Sequence, residues 1–164
     1  MAEGEGGVKR SKVLEERIWR VTVLFKELGY RVTEDERSDE SYSAAFERDD
    51  GVEGGLFIDR ESRFVEVGYT FSFSPDMETF VRSRLEEMLK ICYEYGAYFS
   101  LQRSAEEISF SAFSKLYYTG LSYYSLKDTL RDFDRCVLAL ADLLKIDEGG
   151  GGETAEGEPP KPES

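Results

Sequence analysis

Residues 63–76, RFVEVGYTFSFSPD, decide the fold. Val65, Val67, Tyr69, Phe71 and Phe73 alternate with Glu66, Gly68, Thr70 and Ser72. A period of two puts one set on a buried face and the other on a polar one, the mark of an antiparallel sheet covered on one side. The alternation ends at Ser74-Pro75-Asp76, a helix start. Serine supplies an N-cap acceptor, proline loses nothing by lacking an N–H in the first turn, and the carboxylate suits the positive end of the helix dipole. A strand therefore feeds straight into a helix.

Upstream, GGLFIDR (54–60) and the stretch carrying Tyr42, Ala44 and Phe46 read as two further strands, with turns at Asp49-Asp50-Gly51 and at 59–62. TEDERSDES (33–41) reads as a polar loop. Before it, Leu14, Ile18, Val21, Phe25 and Leu28 form a stripe at helical spacing, giving a first helix from about Lys9 to Leu28 that Gly29 ends. Downstream, the middle helix runs to Tyr95 and stops at Gly96. Two strands follow, AYFSLQR (97–103) and Ile108 to Tyr118, joined by the turn SAEE; Phe113 breaks the second one's alternation, by a bulge or by facing the open side. A last helix, starting near Ser122 or Ser125, carries the stripe Leu126, Leu130, Phe133, Val137, Leu140 and Leu144. The expected fold is α+β: helix, three strands, helix, two strands, helix, with the antiparallel sheet covered on one face. Residues 1–8 are expected as a flexible N-terminus and 9–147 as one domain. Residues 148–164, rich in Gly, Glu and Pro and without aromatic or branched apolar side chains, are expected as a disordered acidic tail.

With 164 residues, 40% hydrophobic and 13% aromatic, the chain is long enough for one real core without disulfides or metals. The formal charge is −13; the tail from Glu148 holds five Glu and one Lys (−4), the first seven residues add −2, and −7 remains for the folded part. Such acidity repels phosphate backbones and anionic lipid, so neither nucleic acid nor membrane is an expected partner. Cys92 and Cys136 fall on apolar helix faces and read as buried thiols. MAEGEGGVKR lacks the apolar core of a signal peptide, and no apolar run approaches the roughly 20 residues of a membrane span. A cytosolic protein is expected.

No catalytic motif appears. The absence of histidine removes imidazole acid–base catalysis, the serine and cysteine triads, and most zinc and haem sites. Gly54-Gly55 belongs to no phosphate-binding loop, and DDGVE lacks calcium-loop spacing. The acidic pairs Asp49-Asp50 and Glu106-Glu107 lie in turns. The expectation is a protein that is not an enzyme and uses no cofactor or metal.

What the chain does offer is apolar surface. On the middle helix Met77, Val81, Leu85, Met88, Cys92 and Tyr95 make one stripe, and Phe80 and Ile91 widen it to about half the circumference. That is broader than one sheet needs. Phe80, Arg84 and Ile91 are therefore read as a homodimer seam, unless the first or last helix covers them. Trp19 and Val23 lie nearly opposite the stripe of the first helix and are read, unless a neighbouring loop or strand edge partly buries them, as a binding anchor that with Phe113 would hold a bound polypeptide.

Three stretches carry a family resemblance: GGLFIDRESRFVEVGYTF (54–71), SPDMETFVRSRLEEMLKICYEYGAYFSLQ (74–102) and EEISFSAF (106–113) with the helix after it. With the element order, they resemble the type III secretion chaperone-like fold of class I secretion chaperones and of the YbjN family of sensory transduction regulators. Tyr95 stands where YbjN-like sequences often carry asparagine, and the C-terminal tail belongs to neither pattern. The resemblance implies a cytoplasmic, non-enzymatic chaperone or adaptor, homodimeric through its middle helix. It also implies a client segment extended across the first helix and the open face of the sheet. The alternative it carries is a regulatory domain with no client.

Overall fold

The structure, a computed structural model, describes residues 2–144, with side chains from Lys12 onward. In chain order the elements are α1 (Ala2–Glu27), β1 (Arg31–Arg37), β2 (Ser41–Glu47), β3 (Glu53–Asp59), β4 (Phe64–Phe73), α2 (Glu78–Glu94), β5 (Tyr98–Arg103), β6 (Ile108–Tyr117) and α3 (Tyr123–Leu144). Short 3-10 turns at Pro75–Met77 and Tyr118–Gly120 lead into α2 and α3. The fold is α+β, with six strands hydrogen-bonded in the order β1-β2-β3-β4-β6-β5. The tail expected over 148–164 lies outside the described residues.

The element order differs from expectation at one place: four strands, not three, precede α2. The stretch read as a polar loop is largely β1, paired antiparallel with β2 from Arg31↔Glu47 to Arg37↔Tyr42, with a bulge between Glu34 and Glu36. β1 lies at the sheet's edge, and all but Val32 of its residues are exposed. An edge strand with charge on both faces and a bulge resists pairing with other chains. For the same reason it shows no alternation to read. α1 starts at Ala2 instead of near Lys9, because its apolar stripe opens only at Leu14 and a Gly/Glu-rich stretch holds no period.

The chain divides into two compact units. The first runs to Gly68 and includes Ser114–Arg131. In it Leu14, Ile18, Val21 and Phe25 are buried, as are Tyr42, Ala44, Phe46, Leu56, Ile58, Val65 and Val67. Phe25, Tyr30 and Phe46 form a ring cluster with centroids 5.0–5.6 Å apart. Gly54, opposite Phe46, makes this possible: a Cβ there would lie 2.8 Å from the Phe46 ring and 3.0 Å from the Gly68 carbonyl. Arg17 Nη1 donates to the carbonyls of Asp59, Arg60 and Ser62 at 3.1, 2.8 and 2.8 Å and so ties α1 to the β3–β4 turn. Ser122 and Ser125 cap α3 reciprocally, each backbone N–H donating to the other's hydroxyl at 2.9 and 3.1 Å.

The second unit comprises Tyr69–Phe113 and the helix residues from Asp132. Its core is Phe71, Phe73, Val81, Met88, Cys92, Ile108, Phe110, Ala112, Cys136, Leu140 and Leu144. The helix start behaves as its residues suggest, with one refinement. Ser74 is extended ahead of Pro75, but its hydroxyl bonds Asp76 instead of capping a backbone N–H. Gly29 and Gly96 have φ of +95° and +70°, and each ends its helix in a Schellman motif. Tyr30 N–H reaches Phe25 O at 3.0 Å while Gly29 bonds Lys26 O; Ala97 N–H reaches Cys92 O at 2.8 Å while Gly96 bonds Tyr93 O. The second motif turns α2 directly into β5.

Candidate functional site

β5 is the sheet's other edge, and it is built unlike β1. Its antiparallel register with β6 pairs Phe99 with Ala112, Leu101 with Phe110 and Arg103 with Ile108. Opposite residues in an antiparallel pair share a face, so Phe99, Leu101 and Arg103 lie on the core face. Tyr98, Ser100 and Gln102 share the other face with Phe113, Ser111 and Ser109. Phe99 stacks on Phe110 with centroids 6.0 Å apart. Among the described residues no strand pairs with β5 on its outer side, and Tyr98, Phe99 and Leu101 are 50, 48 and 41% exposed.

Between α2 and β5 lies a groove of about 150 Å³ lined by Glu78, Val81, Arg82, Leu101, Arg103 and Ile108. Val81, Leu101 and Ile108 make it apolar. Its rim is charged: the Glu78 carboxylate accepts from Arg82 at 3.1 Å and from Arg103 at 2.9 Å. One carboxylate is shared by two guanidinium groups, a formal charge of +1 for the three. Leu89 and Tyr93 continue the Arg82 flank of α2 at about 100° per residue, and Tyr93 is exposed.

The residues singled out from the sequence fall as follows. Phe80 and Ile91 are half-buried against the second unit's core, and the Arg84 guanidinium lies 4.9 Å over the Phe80 ring. The three share one flank of α2, away from the groove. Trp19 is 68% exposed on α1. Val23, one turn on, is half-buried. Phe113, half-buried in the second unit, faces Tyr98 with no bulge in the register, so the break in alternation is an apolar residue on the open face. The sequence alone does not mark Leu101, Phe99, Arg82 and Arg103 as a surface. AYFSLQR carries apolar residues on both faces, which suits a central strand equally well; only the strand order makes them an edge.

Few groups elsewhere have unusual acidity. Burial raises the Glu66 carboxyl, and Lys115 opposes it. Burial pushes the Tyr118 hydroxyl up to about 12. The hydrogen bond between the buried Cys92 and Cys136 favours the Cys92 thiolate and holds Cys136 protonated. Among the described residues, no three His, Cys, Asp or Glu gather as a metal site, and no helix is long and apolar enough to cross a membrane.

An α+β protein with an apolar, unpaired sheet edge beside a helix is the class these observations define. No protein-family model and no curated protein matches the chain. Among solved structures it is similar to an uncharacterized protein from Methanothermobacter thermautotrophicus, with a TM-score of 0.60 and 14% identity over 77% of this chain and 95% of that one. At that identity the likeness is one of fold.

Proposed function

We propose that this protein is a non-enzymatic polypeptide-binding module, a chaperone or adaptor that holds a segment of another protein without a cofactor. The observation that carries this reading is β5: an edge strand displaying Tyr98, Phe99 and Leu101 beside an apolar groove, where β1 is defended by charge and a bulge. An exposed edge offers backbone donors and acceptors for affinity, and the side chains flanking it select the partner. Trp19 is a second exposed aromatic anchor, of the kind that dominates binding energy in protein interfaces. The acidity of the chain keeps such apolar surface in solution and turns polyanions away.

The test is affinity capture by the tagged protein and by its Leu101→Glu variant, from the cells that make it, with circular dichroism of both. Leu101 is partly exposed, so the variant keeps the fold. A near-stoichiometric polypeptide retained by the parent and lost by the variant is the expected result. A partner held equally by both, or none held by either, removes the β5 edge as the binding site.

A further inference from the structure

Resting on that reading, we infer that the α2–β5 groove takes an extended partner segment that carries a carboxylate two residues before an apolar side chain. The inference comes from the order of side chains along β5 and the charge at one end of it. Phe99, Leu101 and Arg103 succeed one another on the core face. Leu101 lines the apolar floor of the groove with Val81 and Ile108, while Arg103 joins Arg82 at its rim. Their shared partner, Glu78, is the less exposed member: side-chain exposures are 29% for Glu78, 68% for Arg82 and 61% for Arg103. The guanidinium groups face solvent, and the carboxylate between them neutralises only one. Arg82, Arg103 and Glu78 together carry a formal charge of +1, with Glu86 and the turn residues Glu106 and Glu107 the next carboxylates along the chain. The selectivity therefore rests on direct pairing with the two guanidinium groups and not on a broad positive field.

A strand added antiparallel to β5 sets its own alternate residues against these three. Read from its N-terminus, the occupant presents a carboxylate to Arg103, an apolar side chain to Leu101 and the groove, and a second apolar side chain to Phe99. The pattern is acid-x-apolar-x-apolar. The intervening residues face the open side with Tyr98, Ser100 and Gln102 and are not selected. The groove holds one branched side chain, so leucine or isoleucine suits its centre better than tryptophan. The carboxylate adds a charge-assisted hydrogen bond to backbone pairing that is otherwise blind to sequence.

The probe is a labelled heptapeptide, Thr-Asp-Thr-Leu-Thr-Val-Thr, titrated against the full chain by fluorescence anisotropy, beside the same peptide with lysine in place of aspartate. The expected result is saturable binding of the acidic peptide, weakened roughly tenfold or more by the lysine exchange. In Arg103→Glu the preference reverses and the lysine peptide binds better. A structural role for Arg103 would lower binding of both peptides without reversing their order. Equal binding of the two peptides, binding of neither, or an unreversed preference in Arg103→Glu each overturns the inference. A doubling of mass on sedimentation that Leu101→Glu abolishes and Ile91→Glu does not would assign the edge to a second copy, and also overturns it. If capture from cells depends on Leu101 while the peptides show no charge preference, the polypeptide-binding reading stands and only the selectivity assigned to the groove falls.

Discussion

Tyr118 is the residue whose chemistry is most altered by its position. Its ring lies under the Arg17 guanidinium, 4.4 Å away, while its buried hydroxyl has no hydrogen-bond partner among the described residues. Burial raises its pKa from 10.0 to about 12, against the opposing charges of Arg17 and Arg20. The folded state therefore holds the phenol proton more tightly than the unfolded chain does. Stability from this group is fully present below about pH 10 and is lost as pH rises towards 12, by roughly 2–3 kcal/mol. Tyr118→Phe removes an unpaired hydroxyl and should shift stability by no more than about 1 kcal/mol at pH 8. At pH 11.5 the variant should be the more stable by urea unfolding; parallel losses in both proteins would contradict this. Trp19 is the opposite case, a large side chain with most of its surface in water. Trp19→Ala should change stability by less than about 1 kcal/mol, where Phe110→Ala in the core should cost about 3–5 kcal/mol. If Trp19 anchors a partner, the same variant captures less of it; a fall in stability approaching that of Phe110→Ala would make Trp19 structural.

At the scale of elements, α2 has two usable flanks. One borders the groove. The other holds Phe80, Arg84, Glu87 and Ile91, and its order is self-complementary. Two copies of α2 packed antiparallel, centred between Arg84 and Glu87, set Phe80 against Ile91 and Arg84 against Glu87, each twice over. This is the arrangement we propose for a homodimer, since an isologous interface needs one patch that matches itself. Ile91→Glu would bury a carboxylate beside the partner's Phe80 and should give a folded monomer. A dimer mass unchanged by light scattering would show the seam to lie elsewhere. The elements also show what a sequence reveals. β4 was readable because one face is buried and the other is not, and both helix stops were readable because Gly29 and Gly96 must take positive φ. β1 was not, because a strand guarded by charge on both faces has the composition of a loop. Its pairing with β2 comes from backbone hydrogen bonds, to which side-chain periodicity is blind.

For the whole molecule, local period and strand order carry different information. Period told which residues of β2 and β4 turn inward, and the buried set agrees for Tyr42, Ala44, Phe46, Val65, Val67, Phe71 and Phe73, while Tyr69 is half-buried. It could not tell that β6 is inserted between β4 and β5, leaving β5 outermost. The candidate site depends on that insertion, so its residues were visible as a strand but not as a surface. The difference between the two margins of the sheet bears on how a strand-paired complex would grow. Linear polymerisation requires every added unit to offer a fresh receptive end. Here one margin exposes Tyr98, Phe99 and Leu101, and the other is charged and kinked at Glu34–Glu36. If β5 takes up a partner strand as proposed, growth through that margin stops after a single step, and the backbone groups that hold the partner give a finite complex.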